Sequence, residues 1–317
     1  RNSNISLSGG LVMQTNGKDF ANGNKTNPSF DQIGGVYSTR TGQKSFLNFG
    51  FNYHKGKNFD YILNATNSLN GSSQNKQSYL KGALGDEGKG GFFINKDTNG
   101  ENIGYINATS YINATSKPVA YTWSQIDYLY WNTLIPGSPT ASSYNYEPAS
   151  SYDFNRSHTG YIGNYDFNVS GNLNDRVYLG ITFGLKDVHY NAYSEYTETF
   201  ANGVGAIVSD NRKITGSGFD VTAGVIVRPV AESPFRIGAY IKTPTWYDLT
   251  TSNITTLTYS NRTTKKEKGI SNSYDYKIWT PWRFGLSLGH TIGTRIALGL
   301  TYEYEDYSNI NNRINDG

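Results

Sequence analysis

Gly285-Leu286-Ser287-Leu288-Gly289 matches the Gly-x-Ser-x-Gly pattern of serine hydrolases, a chemistry that needs a strand-to-helix elbow to present the hydroxyl. Here Ser287 lies inside an alternation with Phe284, Leu286 and Leu288, which reads as one strand, and a strand offers no elbow. The segment Gly82–Lys89 has the wrong spacing for a phosphate loop, and Gly90 stands where a Ser or Thr would hold magnesium. His54, His158, His189 and His290 are scattered without metal-ligand spacing, and the chain has no cysteine for thiolate chemistry. The expectation is therefore no enzyme, no catalytic residue, no metal site and no cofactor. Arg236 and Arg283 retain binding chemistry, because a guanidinium can take a carboxylate on two parallel hydrogen bonds. Either can instead join a charge network with Asp166, Asp220 and Lys242, which share their phase.

These side chains need a scaffold, and period two dominates the chain. Val177, Leu179, Ile181, Phe183 and Leu185 alternate with Tyr178, Gly180, Thr182 and Gly184. Leu47–Tyr53, Tyr165–Val169, Phe219–Val227, Phe235–Ile241, Trp282–Leu288 and Ile296–Tyr302 repeat the division, giving about nine strands with one apolar and one polar or bare face. Tight turns fall at Thr41–Lys44, Asn172–Asp175, Pro229–Pro234 and Gly289–Thr294. Long polar excursions fall between them at Thr15–Pro28, Lys57–Ser157, Thr199–Asn211 and Thr250–Lys268.

Net charge is only +3 over 317 residues, so no nucleic-acid partner is indicated. No run of about 18 apolar residues exists, which excludes a transmembrane helix and leaves strands of about 9–11 residues as a way to cross a bilayer. Brief turns at one end, long loops at the other and aromatics near the strand ends (Tyr190, Tyr193, Tyr196, Trp246, Tyr247, Tyr302, Tyr304, Tyr307) fit an antiparallel transmembrane β-barrel in an outer membrane, with lipid as its first partner. A soluble β-rich adhesin with sugar-binding aromatic faces is the alternative.

The sequences GNLNDRVYLGITFGLKDVHYNAYSEYTE, GSGFDVTAGVIVRPVAESPFRIGAYIKTPTWYDLT and YDYKIWTPWRFGLSLGHTIGTRIALGLTYEYEDYS resemble the FadL/TodX family of outer-membrane transporters for hydrophobic compounds, in its Bacteroidetes branch. The resemblance covers most of Ser45–Asn309. It implies a barrel of about 14 strands, of which the single domain 1–317 supplies about nine, lacking the Asn-Pro-Ala hatch and the last strands. It implies passive transport of a hydrophobic small molecule such as a long-chain fatty acid. The alternative is an accessory barrel with a protein partner in a secretion or surface-export system.

The insert 57–157 falls where the family places a long extracellular loop with a capture groove. Its segment TWSQIDYLYWNTLI, Thr122–Ile135, has near-helical apolar spacing. By resemblance Trp123, Ile126, Tyr130, Trp131 and Leu134 line an entry groove; by residue chemistry alone they equally pack the loop on itself or on the rim of the barrel.

Overall fold

In the computed structural model, the residues described are 3–15, 17–21, 23–78, 91–96, 102–107, 111–112, 118–119, 126–127, 129–130, 146–200, 205–260 and 265–314. The strands in chain order are β1 (Asn4–Met13), β2 (Thr26–Arg40), β3 (Phe46–Asn58), β4 (Tyr61–Ser68), β5 (Gly91–Lys96), β6 (Asn102–Asn107), β7 (Tyr111–Ile112) and β8 (Pro118–Val119). They continue with β9 (Ala149–Leu173), β10 (Val177–Phe200), β11 (Gly205–Val227), β12 (Arg236–Lys242), β13 (Trp246–Ser260), β14 (Lys265–Trp279), β15 (Arg283–Ile292), β16 (Ile296–Glu305) and β17 (Asn311–Ile314). Thirteen of these join one antiparallel sheet, while β5–β6 and β7–β8 form two small hairpin sheets within the insert.

Several strands are two segments of one ribbon. β3 and β4 both pair with β9, β12 and β13 both pair with β11, and β14 with β15 and β16 with β17 continue the same pattern. Counted as ribbons, the described residues give the nine strands the alternation predicts, in sequence order as a meander. The sheet is not closed as a barrel: β1 ends one side and the β16/β17 ribbon the other. The two edge ribbons run in the same direction, so they cannot pair with each other antiparallel.

The near-turn connections form as their chemistry requires. Asn174 and Asp175 adopt φ of 51° and 56° between β9 and β10, the left-handed pair of a tight hairpin, which Asn and Asp tolerate better than most side chains. At the other end the outcome differs from the sequence expectation. Residues 199–200, 205–211, 250–260 and 265–268 are strand, and the connections shrink to 201–204 and 261–264. β9, β10 and β11 reach 25, 24 and 23 residues. Polar residues on both faces of these far halves erase the alternation that would mark them as strand. The insert is likewise shorter than 57–157, because β4 carries its ribbon to Ser68 and β9 starts at Ala149.

Burial follows the period-two pattern in an inverted sense. On β10, Leu179, Ile181, Phe183 and Leu185 are 52%, 37%, 42% and 46% exposed, whereas Lys186 on the opposite face is 8% exposed. The well-buried apolar cluster lies elsewhere, at the far ends of the strands. There Phe200, Ala206, Val208, Leu257 and Tyr259, all on the opposite face, pack with Ala149 and with Leu129 and Tyr130 of the insert.

Candidate functional site: an ion belt behind a broken wall

One row of hydrogen-bonded neighbours runs across the sheet on the apolar face. It passes through Ile33, Tyr53, Tyr165, Leu185, Phe219, Trp246 and Trp279. Ring centroids are 4.9 Å apart for Tyr53 and Tyr165 and 6.1 Å apart for Phe219 and Trp246. The next row on that face is Lys55, Gly163, Asp187, Ser217, Asp248 and Lys277. Exposed apolar surface therefore largely stops at an aromatic line and gives way within one step to charge on four of these six ribbons and to Gly163 or Ser217 on the other two, with Ile254 further along β13 an exposed exception. From Val177 to this line β10 spans nine residues, the length a barrel strand needs to cross a bilayer, about 9–11. The boundary aromatics are largely not those the sequence suggests: Trp246 is in the row, but Tyr190, Tyr196 and Tyr247 point to the opposite face, and Tyr193 lies beyond the line, stacked under Phe20 at 5.7 Å.

At the same depth the opposite face carries an ion belt. Lys186 Nζ lies 3.5 Å from Asp166 Oδ1 and 3.4 Å from Asp220 Oδ2, and Lys242 Nζ is 3.1 Å from that same Asp220 oxygen. Thr245 Oγ1 donates to Asp220 Oδ2 at 2.8 Å. His54 extends the belt, with Nδ1 3.4 Å from Asp166 Oδ2 and contacts to the amides of Asn52 and Asn164 at 3.0 and 3.1 Å. Gly184 sits between the two carboxylates, and a Cβ there would lie 2.5 Å from Asp220 Oδ1 and 2.9 Å from Lys186 Nζ. Any larger residue would have to displace the ions that meet there. Asp220 is 3% exposed, so removing either sign leaves an uncompensated charge out of water.

Beside the belt, three adjacent ribbons break at one level: at Thr243-Pro244-Thr245, at Thr280-Pro281-Trp282 and at Asp306–Ile310. Proline has no N–H for the ladder, so each Thr-Pro step interrupts pairing in the interior of the sheet. Threonine hydroxyls fill the gaps: Val221 N donates to Thr243 Oγ1 at 3.0 Å and Thr245 N to Thr280 Oγ1 at 2.8 Å. On the apolar face the breaks open a cleft of about 650 Å³ walled by Ile241, Pro244, Trp279, Pro281, Trp282, Phe284 and Tyr304, with Thr280 and Asp306 as its polar members. A second hollow of about 390 Å³ lies on the opposite face between belt and turns, lined by Asn48, Asn168, Tyr178, Thr182, Tyr240, Ser287 and glycine backbone.

The insert closes over the far end of the opposite face. Ile126, Asp127, Leu129 and Tyr130 are helical, as the spacing predicts, and Tyr130 is fully buried with Ile126 packed against the same cluster. Trp123, Trp131 and Leu134 lie outside the described residues. Among the other expected site residues, Arg283 is paired with Glu305 through Nε, and Arg236 lies over the Tyr178 ring at 5.7 Å near the turns. Asp166, Asp220 and Lys242 meet in the belt, joined by Lys186. Lys186 carried a legible signal, being the first charge on the bare face after Gly184. The threonines that mend the breaks did not, since nothing local marks a hydroxyl as a ladder substitute.

Glu198 anchors the cap. It is fully buried on β10, and its Oε1 accepts from Gln74 N at 2.7 Å and from the Tyr196 hydroxyl at 3.2 Å. Among the described residues its Oε2 has no hydrogen-bond partner. Burial raises its carboxyl above the usual range, with both hydrogen bonds acting the other way, and burial also raises the Tyr196 phenol beside it. Among the described residues no group of His, Asp or Glu is arranged to hold a metal ion, and no helix is long and apolar enough to cross a membrane. Comparison with protein-family models, curated proteins and solved structures returns no match.

Proposed function

We propose that this chain forms part of the wall of an outer-membrane β-barrel that passes hydrophobic compounds, such as long-chain fatty acids, without a chemical step. The observation that carries the reading is the pairing of depths. Exposed apolar residues end at an aromatic row on one face, while an ion belt sits at the same level on the other, an arrangement suited to lipid outside and a polar interior. The cleft beside the Thr-Pro breaks supports a hydrophobic cargo, because it joins apolar and aromatic walls to a discontinuity in the ladder. Lipid offers no partner for bare backbone groups, so the reading requires both edges, β1 and β16/β17, to be paired in the membrane.

Quenching by brominated phosphatidylcholine tests the wall, since Trp246, Trp279 and Trp282 sit at or beside the boundary row. Strong quenching is expected in vesicles; an unquenched protein that stays monomeric without detergent rules the wall out. Transport is tested by oleate uptake in cells expressing the protein, which should rise over cells without it. Equal uptake together with stable co-purification of another exported protein would favour an accessory barrel of an export system.

A further inference from the structure

The hollow between belt and turns has a floor that is open without a packing reason. One row of cross-strand neighbours passes through Asn48, Ser170, Gly180, Gly224 and Tyr240, with the two glycines side by side at its centre. Elsewhere on this face glycine answers to crowding: a Cβ at Gly238 would lie 2.3 Å from Ser287 Oγ, and one at Gly285 would lie 1.9 Å from the Tyr240 ring. At Gly180 and Gly224 the nearest atom would be 3.4 Å away, an ordinary contact, so a side chain would fit and none is there. Glycine weakens a strand interior, and the close approach of another molecule is one reason to keep it.

The lining also holds hydrogen-bonding capacity that the protein does not use. Asn168 Nδ2 donates to Thr182 Oγ1 at 2.9 Å and to Ile181 O at 3.2 Å, leaving Oδ1 as an acceptor. Asn48 Oδ1 accepts from Ser38 Oγ, leaving Nδ2 as a donor. Among the described residues the hydroxyls of Ser170, Thr222 and Ser287 make no hydrogen bond. Tyr178 and Tyr240 flank the floor. Their hydroxyls donate to Asp175 and Glu303, and the Arg236 guanidinium lies over the Tyr178 ring at 5.7 Å, so the charges touching these walls are held outside the lining.

We propose that this hollow binds a neutral saccharide of one or two rings. Its volume of about 390 Å³ falls within the range of small-ligand sites, about 300–1,000 Å³. Tyrosine rings pack against the C–H face of a pyranose, and sugar hydroxyls, each donor and acceptor at once, match a lining of amides and hydroxyls. A hydrocarbon chain would bury those groups unpaired, and a charged ligand would find no counter-ion in the lining. The site is therefore separate from the hydrophobic cargo and goes beyond the transport reading.

The test is equilibrium dialysis of radiolabelled maltose against the purified protein in a polyoxyethylene detergent, which carries no sugar. Wild type should retain maltose. Gly180→Val, which fills the floor with a side chain suited to a strand, should abolish retention. Asn168→Ala should weaken it about fivefold, the effect of one neutral hydrogen bond. Gly299→Val is the control: it lies on the same face outside the hollow, with nothing within 4 Å of an added Cβ, and should bind maltose as wild type does. Heat-modifiable gel mobility monitors folding, and Gly180→Ala, with a smaller loss expected, replaces the valine variant if that one does not fold. Laurate should not displace maltose. Wild type that retains no maltose, or retention untouched by substitution at Gly180, overturns the site and leaves the transport reading standing. Displacement by laurate gives the hollow to the cargo and overturns it as well. Failure of oleate uptake alone would strike the transport reading and leave the saccharide site in place.

Discussion

The two halves of β10 follow opposite burial rules. From Val177 to Leu185 the large apolar side chains are on the open face and the opposite face is nearly bare. From Lys186 to Phe200 the open face turns polar, with Asp187, His189, Asn191 and Glu195, and the apolar residues Val188 and Phe200 are buried on the other side. The strand does not change register with β11 across this switch. On the proposed reading a single ribbon meets two environments, and the inversion marks the depth at which the solvent of the open face changes. In water the near half would be an aggregation-prone apolar sheet; against hydrocarbon it is a wall whose polar side needs its own compensation, which the belt supplies.

The largest expected effect comes from removing that compensation. Asp220→Ala leaves Lys186 and Lys242 facing each other with one carboxylate fewer, and a stability loss of about 3–5 kcal/mol is expected from breaking a buried pair. In the far half, Asp210→Ala removes an acceptor that serves neutral donors and should cost about 1 kcal/mol. The readout is the urea midpoint of the protein folded into phosphatidylcholine vesicles, followed by gel mobility. Equal losses at the two positions would erase the distinction between the halves.

The open face offers a second cut through the same comparison. Phe183→Arg places a charge in the middle of the apolar stretch and should destabilise the folded state by about 2–4 kcal/mol if that face meets lipid. Asn191→Arg, on the same face beyond the aromatic row, should change stability by less than about 0.5 kcal/mol. Folding yields into vesicles separate the two, and a Phe183→Arg variant that folds as well as wild type would mean that water covers both halves.

The near half was the legible one. Its alternation Val177–Leu185, its turn at Asn174-Asp175 and its bare phase at Gly180 and Gly184 are all local signals, and they predict ribbon number and order. The far half was not, because its open face is polar and its covered face mixes polar residues with the buried Phe200, Ala206, Val208, Leu257 and Tyr259, so the period is broken and Thr199–Asn211 and Thr250–Lys268 look like loops. The belt was visible as a set of inward charges, Asp166, Asp220 and Lys242. Their meeting depends on Lys186 and on the space at Gly184, a relation among four ribbons that no single stretch contains. The Thr-Pro steps at 243–244 and 280–281 lie far apart in sequence, and only the pairing of β13 with β14 brings them side by side.

The smallest effect expected is at the cap, where the ordinary rule of burial returns. Glu198 is an acid whose folded-state carboxyl titrates above its ordinary 4.5, so the folded protein holds that proton more tightly than the unfolded chain does. The sign follows: below pH 4.5 both states carry the proton and the group costs nothing, and the cost appears as pH rises from 4.5 through the raised value, then stays constant. Glu198→Gln keeps an acceptor for Gln74 N and the Tyr196 hydroxyl, fills the place of the unpartnered Oε2 with an amide, and removes the titration. Its stability at pH 5 should lie within about 1 kcal/mol of wild type, and its advantage should grow toward pH 8. Because among the described residues the cap joins the far ends of β9, β10, β11 and β13 to the insert, the change should register as altered proteolysis of the insert before it registers in the urea midpoint of the wall. A pH-independent difference between Glu198→Gln and wild type would show that the carboxyl is not the group that couples cap and pH, and that the far half obeys the same charge rules as the belt.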